Sequence, residues 1–175
     1  VDMENIGATG RSGGGTQTAW LGVFEDRLKA TAIENYITTF RRLIQSIGFQ
    51  DAEQHASYGI ANGLDFPDLV VARAPKPTLI IATEADFFNI QGARETYEEI
   101  QTLYAKLGAK DQVNWQSDIA GHASTPKNRE RLYEFFLEHL STPKDNQDLK
   151  IDLIPAESLV VLDKVHQKKM FEHTV

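Results

Sequence analysis

The sequence predicts an α/β fold in which a parallel half-sheet of about four strands carries helices on both faces. Short apolar segments alternate with longer segments whose apolar residues recur at helical spacing, and this alternation is typical of a parallel sheet. The run PTLIIAT at residues 77–83 is almost continuously apolar, as expected for a strand that is buried on both faces. These two observations predict the fold class before any motif is considered.

The composition is that of a globular protein and argues against several classes of function. The 175 residues, 41% of them hydrophobic and 25% charged, can bury one sizeable core. The formal net charge is −7, and the only adjacent basic pairs are Arg41-Arg42 and Lys168-Lys169, so we expect no nucleic-acid partner. No apolar run approaches the roughly 20 residues that a membrane span needs. The chain has no cysteine, which excludes disulfides, thiolate zinc sites and cysteine nucleophiles.

The first part of the chain predicts two strands separated by a helix. We expect a short strand at residues 5–9, a glycine-rich turn, and a helix from Gln17, where apolar residues recur at helical spacing. Residues 30–38 are apolar and β-branched enough for the second strand. The connection 40–76 contains short helices, because Leu43, Ile44 and Ile47 fall on one helical face.

The second part predicts two further strand–helix units. The strand at 77–83 ends in the acidic loop Glu84-Ala85-Asp86 and is followed by a helix over 93–107. Residues 113–116 form the last short strand, and Pro126 occupies the first position of a helix that extends to Leu140. We expect one unit over 1–140, a polar linker over 141–150, and over 151–175 a C-terminal extension, such as a docking strand, or the start of a further module.

The glycine-rich turn has two interpretations that assign different chemistry to the same residues. Gly7-x-x-Gly10-x-x-Gly13 resembles a dinucleotide-binding turn, with Glu34 about 20 residues further on as the ribose-binding acid. Against this interpretation, residues 1–6 make a poor buried strand. None of the five tyrosines is followed at the fourth position by the lysine that a short-chain dehydrogenase would need.

The second interpretation is G-x-S-x-G, a strained strand-to-helix turn that presents a nucleophilic serine, Ser12. Small residues must flank that serine because the backbone is crowded there, and Gly10, Gly13 and Gly14 supply them. An acid and then a histidine must follow, each after a later strand. Asp86 and His122 fall in those positions. We therefore predict a catalytic triad of Ser12, Asp86 and His122.

Further residues are predicted to lie near the triad and have roles in substrate binding or catalysis. The backbone N–H of Gly13 is expected in the oxyanion hole, because it follows the nucleophile. Arg11 could contact a substrate or form a structural ion pair, and Asp51 and Glu53 could contact substrate or begin a helix. Asp51 and Glu53 are also alternative acids for orienting the histidine, since some hydrolases place the acid after the preceding strand.

The remaining histidines show no spacing that suggests a metal. They are His55, His139, His166 and His173. Isolated histidines without a matching ligand pattern do not indicate a metal centre. We predict neither a metal nor any other cofactor.

Several stretches together resemble a known family. IGATGRSGGGTQTAW (6–20), QDAEQ (50–54), GLDFPDL (63–69), RAPKPTLIIATEADFF (73–88) and AGHASTPKNRERLYEFF (120–136) are similar to bacterial α/β-hydrolases of the acetyl xylan esterase and prolyl-oligopeptidase-like group. The resemblance covers about residues 1–140 and implies the C-terminal half of a catalytic domain. It further implies a serine esterase that deacetylates carbohydrate, with a small-molecule or carbohydrate ester as substrate, in a secreted or periplasmic protein.

The same resemblance implies that an N-terminal half of the domain precedes this chain and supplies the second oxyanion-hole donor. We expect the chain alone to be inactive and to self-associate through the exposed edge of its first strand. Three alternatives to the esterase stay open at this point: a prolyl-oligopeptidase-like peptidase, a hydrolase fragment without catalytic function, and a dinucleotide-binding oxidoreductase.

Overall fold

The computed structural model describes residues 2–140, 147–161 and 166, except for the side chain of Glu53. The described strands form one sheet in the order β1-β2-β3-β4. Their bounds are Ile6–Arg11 for β1, Leu28–Glu34 for β2, Thr78–Thr83 for β3 and Val113–Asp118 for β4. All three pairs of neighbouring strands are parallel, which confirms the predicted half-sheet.

Helices cover both faces of this sheet, as predicted. Their bounds are Gly13–Phe24 for α1, Phe40–Ser46 for α2, Phe66–Val71 for α3, Ile90–Lys106 for α4 and Pro126–Leu140 for α5. Side chains of successive strand residues point to opposite faces, so each buried strand contributes to two cores. On one face Ala32 and Ile81 pack with Phe135 of α5. On the other face Ile33 and Ile80 belong to the cluster built on α1, α3 and α4.

Near the glycine-rich turn, some observed boundaries of strands and helices differ from those predicted from the sequence. The first strand continues to Arg11 and α1 begins at Gly13 rather than at Gln17. The second strand ends at Glu34, because Asn35 has a φ of 48° and cannot continue an extended strand. Gly7 lies inside β1, where a Cβ atom would press against Phe136 of α5. The dinucleotide interpretation of Gly7 as a turn residue is therefore wrong.

The connection between β2 and β3 is built from short helices, as predicted. Besides α2 and α3 it contains two 3-10 turns, Ala52–Gln54 and Ile60–Asn62. The Asp65 carboxylate accepts hydrogen bonds from the backbone N–H of Phe66 and from that of Phe40. Asp65 thereby caps α3 and joins its start to the start of α2.

The chain after α5 differs from the predicted docking strand. Residues 151–161 are exposed and contain one 3-10 turn, Ala156–Leu159, and no strand occurs in that described range. Asp148 forms an ion pair of 2.5 Å with Arg129 of α5. Residues 141–146 of the predicted linker, and 162–165 and 167–175 of the predicted extension, lie outside the described residues. None of the described helices has both the length and the apolar character needed to cross a membrane.

Candidate active site

Ser12 occupies the turn between β1 and α1 in a backbone conformation that non-glycine residues rarely adopt. Its φ is 58° and its ψ is −122°. Two hydrogen bonds hold this conformation, since the Ser12 N–H donates to Glu34 O at 3.0 Å and Ser12 O accepts from Thr16 N–H at 2.9 Å. The side chain makes no hydrogen bond that would cap α1. A strained turn that leaves the hydroxyl away from the helix is what a nucleophilic serine requires.

The glycines around Ser12 allow the backbone to fold back on itself. A Cβ atom on Gly10 would overlap the carbonyl oxygen of Gly14, and one on Gly15 would lie 2.8 Å from Glu34 O. Gly14 faces open space, with nothing within 4 Å of an added Cβ. The expectation that Gly14 is needed for space is therefore wrong, and Gly15 has that role instead. Gly13 is the first residue of α1, so its N–H has no acceptor within the helix and is free for a ligand oxygen.

Asp86 and His122 are in direct contact at the carboxyl ends of β3 and β4. The Nδ1 atom of His122 lies 3.0 Å from Oδ1 and 2.9 Å from Oδ2 of Asp86. The Asp86 side chain is 1% exposed, whereas that of His122 is 22% exposed. A buried carboxylate beside Nδ1 fixes the imidazole orientation and favours the tautomer that leaves Nε2 free to accept a proton.

Hydrogen bonds from the sheet hold Asp86 in place. Its carboxylate also accepts from the Thr83 hydroxyl at 3.2 Å and from Phe88 N–H at 3.1 Å. The side-chain amide of Asn35, at the end of β2, donates to Thr83 Oγ1 and to Ala123 O, each at 3.2 Å. Asn35 therefore ties the end of β3 to the loop that carries His122. Neither Asn35 nor Thr83 was predicted from the sequence, and the only local signal was their position at strand ends.

A cavity of about 230 Å³ begins beside Ser12. It is lined by Ser12, Ile47, Phe49, Gln50, Asp51, Gln54 and Phe87. The ring of Phe87 lies 4.4 Å from the imidazole of His122, measured between ring centroids. Phe87 thus lines the cavity at Ser12 and also contacts the imidazole of His122.

Glu34 is a buried carboxylate that the sequence linked only to nucleotide binding. Burial raises the pKa of Glu34, while a hydrogen bond from Ser124 and the charges of Arg11, Arg129 and His122 oppose that rise. Its Oε1 atom is buried without a hydrogen-bond partner. A carboxylate at the end of the strand next to Ser12 with a raised pKa is typical of functional sites. Its position as the last residue of a buried strand was the signal that could have identified it.

The other residues predicted for the site lie at different places around Ser12. Arg11 is exposed at the end of β1, and its charge is near enough to lower the pKa of Glu34. Asp51 lies at the cavity beside Ser12 and also directly precedes the turn Ala52–Gln54, so both of its predicted roles stay predictions. Glu53 lies in the turn Ala52–Gln54, and its side chain is outside the described part. Asp86 is the carboxylate that contacts His122; Asp51, proposed as an alternative, makes no such contact. Across residues 2–140, 147–161 and 166, no group of three or more potential metal ligands comes together.

Comparison with solved structures identifies several enzymes with a similar fold. The methylesterase BT1017 is similar over 85% of this chain and 32% of its own, with 25% identity and a TM-score of 0.66. A carbohydrate esterase family 15 glucuronoyl esterase from Caldicellulosiruptor kristjansonii is similar over 91% of this chain and 50% of its own, with 18% identity and a TM-score of 0.62. The acylaminoacyl peptidase of Pyrococcus horikoshii is similar over 85% of this chain and 26% of its own, with 21% identity and a TM-score of 0.59.

These enzymes are α/β-hydrolases, so the predicted resemblance is confirmed and the chain has an α/β-hydrolase-like fold. Neither a protein-family model nor a curated protein matches the sequence. The chain spans between about a quarter and a half of the length of the solved structures named here.

Proposed function

We propose that this chain carries the catalytic triad of a serine carboxylic-ester hydrolase, in which Ser12 is the nucleophile, His122 the general base and Asp86 the orienting acid. The contact between Asp86 and Nδ1 of His122, beside the strained Ser12 turn, carries the proposal. A base oriented by a buried acid, together with a serine on a strained strand-to-helix turn, is the arrangement that acyl transfer requires.

The reaction follows from these positions. Nε2 of His122 accepts the Ser12 proton as Oγ attacks the ester carbonyl carbon, and the carbonyl oxygen becomes an oxyanion. The Gly13 N–H donates to that oxyanion. The bond between the carbonyl carbon and the alcohol oxygen then breaks, His122 gives the proton to the departing alkoxide, and the alcohol leaves while the acyl group stays on Ser12 Oγ. Water, deprotonated by His122, hydrolyses the acyl-serine and restores Ser12.

Carbohydrate esters are the proposed substrates. The family resemblance of the sequence supports deacetylation of carbohydrate. The likeness to a methylesterase and to glucuronoyl esterases is consistent with ester cleavage. A peptidase is the second candidate, favoured by the likeness to an acylaminoacyl peptidase. Hydrolysis of an acetylated sugar compared with an acetylated amino-acid amide separates the two.

The activity is proposed to need the rest of a hydrolase domain. β1 is at an edge of the described sheet and has one strand neighbour there. On α1, the helix after β1, Leu21 and Phe24 are exposed, with Phe24 at 77%. An unpaired strand edge beside exposed apolar side chains favours association with another polypeptide segment. We propose that an N-terminal half of the domain covers this edge and supplies the second oxyanion donor, and that copies of the isolated chain associate through it.

The experiment is covalent labelling of the full-length natural protein with a fluorophosphonate probe. The wild-type protein should be labelled and should hydrolyse p-nitrophenyl acetate. Ser12→Ala should lose labelling and reduce turnover by a factor on the order of 10⁴ to 10⁶, because triad members act as a unit. Ser57→Ala, at an exposed serine away from the turn, is the matched control. Labelling that persists in Ser12→Ala would show that another residue is the nucleophile.

A further inference from the structure

Asn35 directly follows β2 and lies between the three segments that carry the proposed triad. It is buried, and its side-chain amide donates to Thr83 Oγ1 at the end of β3 and to Ala123 O in the loop after β4, each at 3.2 Å. The carbonyl oxygen of the preceding residue, Glu34, accepts from the Ser12 N–H at 3.0 Å. Residues 34 and 35 therefore hydrogen-bond to the serine turn, to the end of β3 and to the histidine loop.

The hydrogen bonds that lead from Asn35 to Asp86 have a defined direction. Ala123 O can only accept, so the NH₂ end of the Asn35 amide faces it. The same NH₂ group donates to Thr83 Oγ1, and the Thr83 hydroxyl in turn donates to Asp86 Oδ2 at 3.2 Å. In a buried chain of this kind each hydrogen bond polarises and strengthens the next. Asn35 thus orients the hydroxyl that helps to hold the Asp86 carboxylate.

Two features of Asn35 are locally unfavourable. Its φ of 48° lies in the left-handed region, which residues other than glycine rarely occupy, although asparagine tolerates it better than most. Its Oδ1 atom is buried and has no hydrogen-bond partner in the described part of the chain. Such costs persist where the surrounding structure enforces them, and they concentrate at functional sites. What the amide N–H groups hold explains this residue better than a contribution to stability does.

We infer that Asn35 is a positioning residue for acyl transfer, which keeps the Asp86 carboxylate and the His122 loop in register with the Ser12 turn. It acts through Thr83 and Ala123, and not on the substrate. A displacement of about 1 Å at a reacting group can lower the rate by a factor on the order of 10². This inference rests on the proposed hydrolase function and adds to it a residue outside the triad.

The test measures hydrolysis of p-nitrophenyl acetate by the full-length natural protein, with the reactive serines counted by fluorophosphonate titration. Asn35→Gly removes the amide while glycine accepts the positive φ, and it should lower kcat per titrated site by about 10- to 100-fold. KM should stay within about 2-fold, because His122 serves both the formation and the hydrolysis of the acyl-serine and both steps slow together. A merely structural role would lower the number of titrated sites and leave kcat per site unchanged.

Substitutions at Thr83 test the same chain of hydrogen bonds without changing Asn35. Thr83→Val keeps the β-branched shape but lacks the hydroxyl, and it should lower kcat per site by about 3- to 30-fold. Thr83→Ser keeps the hydroxyl and should retain most of the wild-type rate. The double variant Asn35→Gly/Thr83→Val should lose less than the product of the two single losses, because both substitutions break one chain.

Tyr58→Gly is the matched control, since Tyr58 also has a positive φ, of 60°, and is exposed. It should change neither kcat per site nor KM. If kcat per site in both Asn35→Gly and Thr83→Val stays within about 2-fold of the wild type, the inference is overturned while labelling of Ser12 leaves the hydrolase in place. A wild-type protein that neither hydrolyses p-nitrophenyl acetate nor takes up fluorophosphonate would overturn the proposed function and the inference with it.

Discussion

Two regions meet at the candidate site, and they are built in opposite ways. In the loops after β3 and β4, polar groups are paired within the protein. The Asp86 carboxylate is hydrogen-bonded to the Thr83 hydroxyl, the Phe88 N–H and the His122 imidazole. Backbone hydrogen bonds from Glu84 to Asp118 and from Ala85 to Ala120 join the two loops. The connection at 47–54 leaves the Gln50 amide without a partner and Phe49 exposed. The residues proposed to react are held by hydrogen bonds within the protein, whereas the Gln50 side-chain amide in the neighbouring connection has no such bond.

The largest effect on turnover is expected from replacing Asp86, the acid that contacts His122. Asp86→Asn in the full-length natural protein should keep the fold and lower turnover by a factor on the order of 10⁴, because an amide stabilises the wrong imidazole tautomer. Glu34→Gln, Asp51→Asn and Glu53→Gln should each lower turnover far less. Steady-state hydrolysis of p-nitrophenyl acetate measures all four variants. If Asp86→Asn stays nearly as active as the wild type while one of the other three is inactive, the acid has been misassigned.

A smaller effect, on the free energy of unfolding, is expected from substitutions in the turn that presents Ser12. Gly10→Ala places a methyl group against the Gly14 carbonyl and should lower the free energy of unfolding by about 3 kcal/mol, the cost of overpacking against a backbone that cannot move away. Gly14→Ala is the matched control. Gly14 lies within α1, and an added Cβ atom there has no neighbour within 4 Å, so this substitution should be neutral or stabilising by up to about 1 kcal/mol. Urea denaturation measures both. Equal destabilisation by the two variants would show that the turn is not crowded at Gly10.

The smallest expected effect concerns two glutamates with opposite pKa shifts. Burial raises the pKa of Glu34 in the folded protein, so its carboxyl binds its proton more tightly there, and its contribution to stability falls as pH rises above the usual glutamate range. A hydrogen bond from Ser117, with the Arg94 charge, lowers the pKa of Glu84, whose contribution is instead lost as pH falls.

Thermal denaturation at pH 4 and pH 8 separates these contributions. Relative to the wild type, Glu34→Gln should be more stable at pH 8 than at pH 4. Glu84→Gln should show the reverse, with its larger deficit at pH 8. The same sign for both variants would contradict the assignment of burial as the main influence on Glu34.

Much of the fold could be predicted because its signals are local. The bounds of α5 were predicted as they are observed, since Pro126 begins that helix by its fixed φ and Leu140 ends its apolar face. The strand at 77–83 was recognised because burial on both faces demands a continuous apolar run. The end of β2 was missed because the positive φ of Asn35 arises from hydrogen bonds to distant residues.

The sequence by itself determined the α/β class, the order of the elements and the candidate positions of Ser12, Asp86 and His122. Those properties follow from residue spacing and from rules that apply along the chain. Only the tertiary structure decided that Asp86, rather than Asp51, contacts His122, that Glu34 is buried beside the serine turn, and that Gln50 faces a cavity without a partner. Asp86 and His122 are 36 residues apart in the chain, and burial and unpaired hydrogen-bonding groups exist only once the sheet has brought distant residues together.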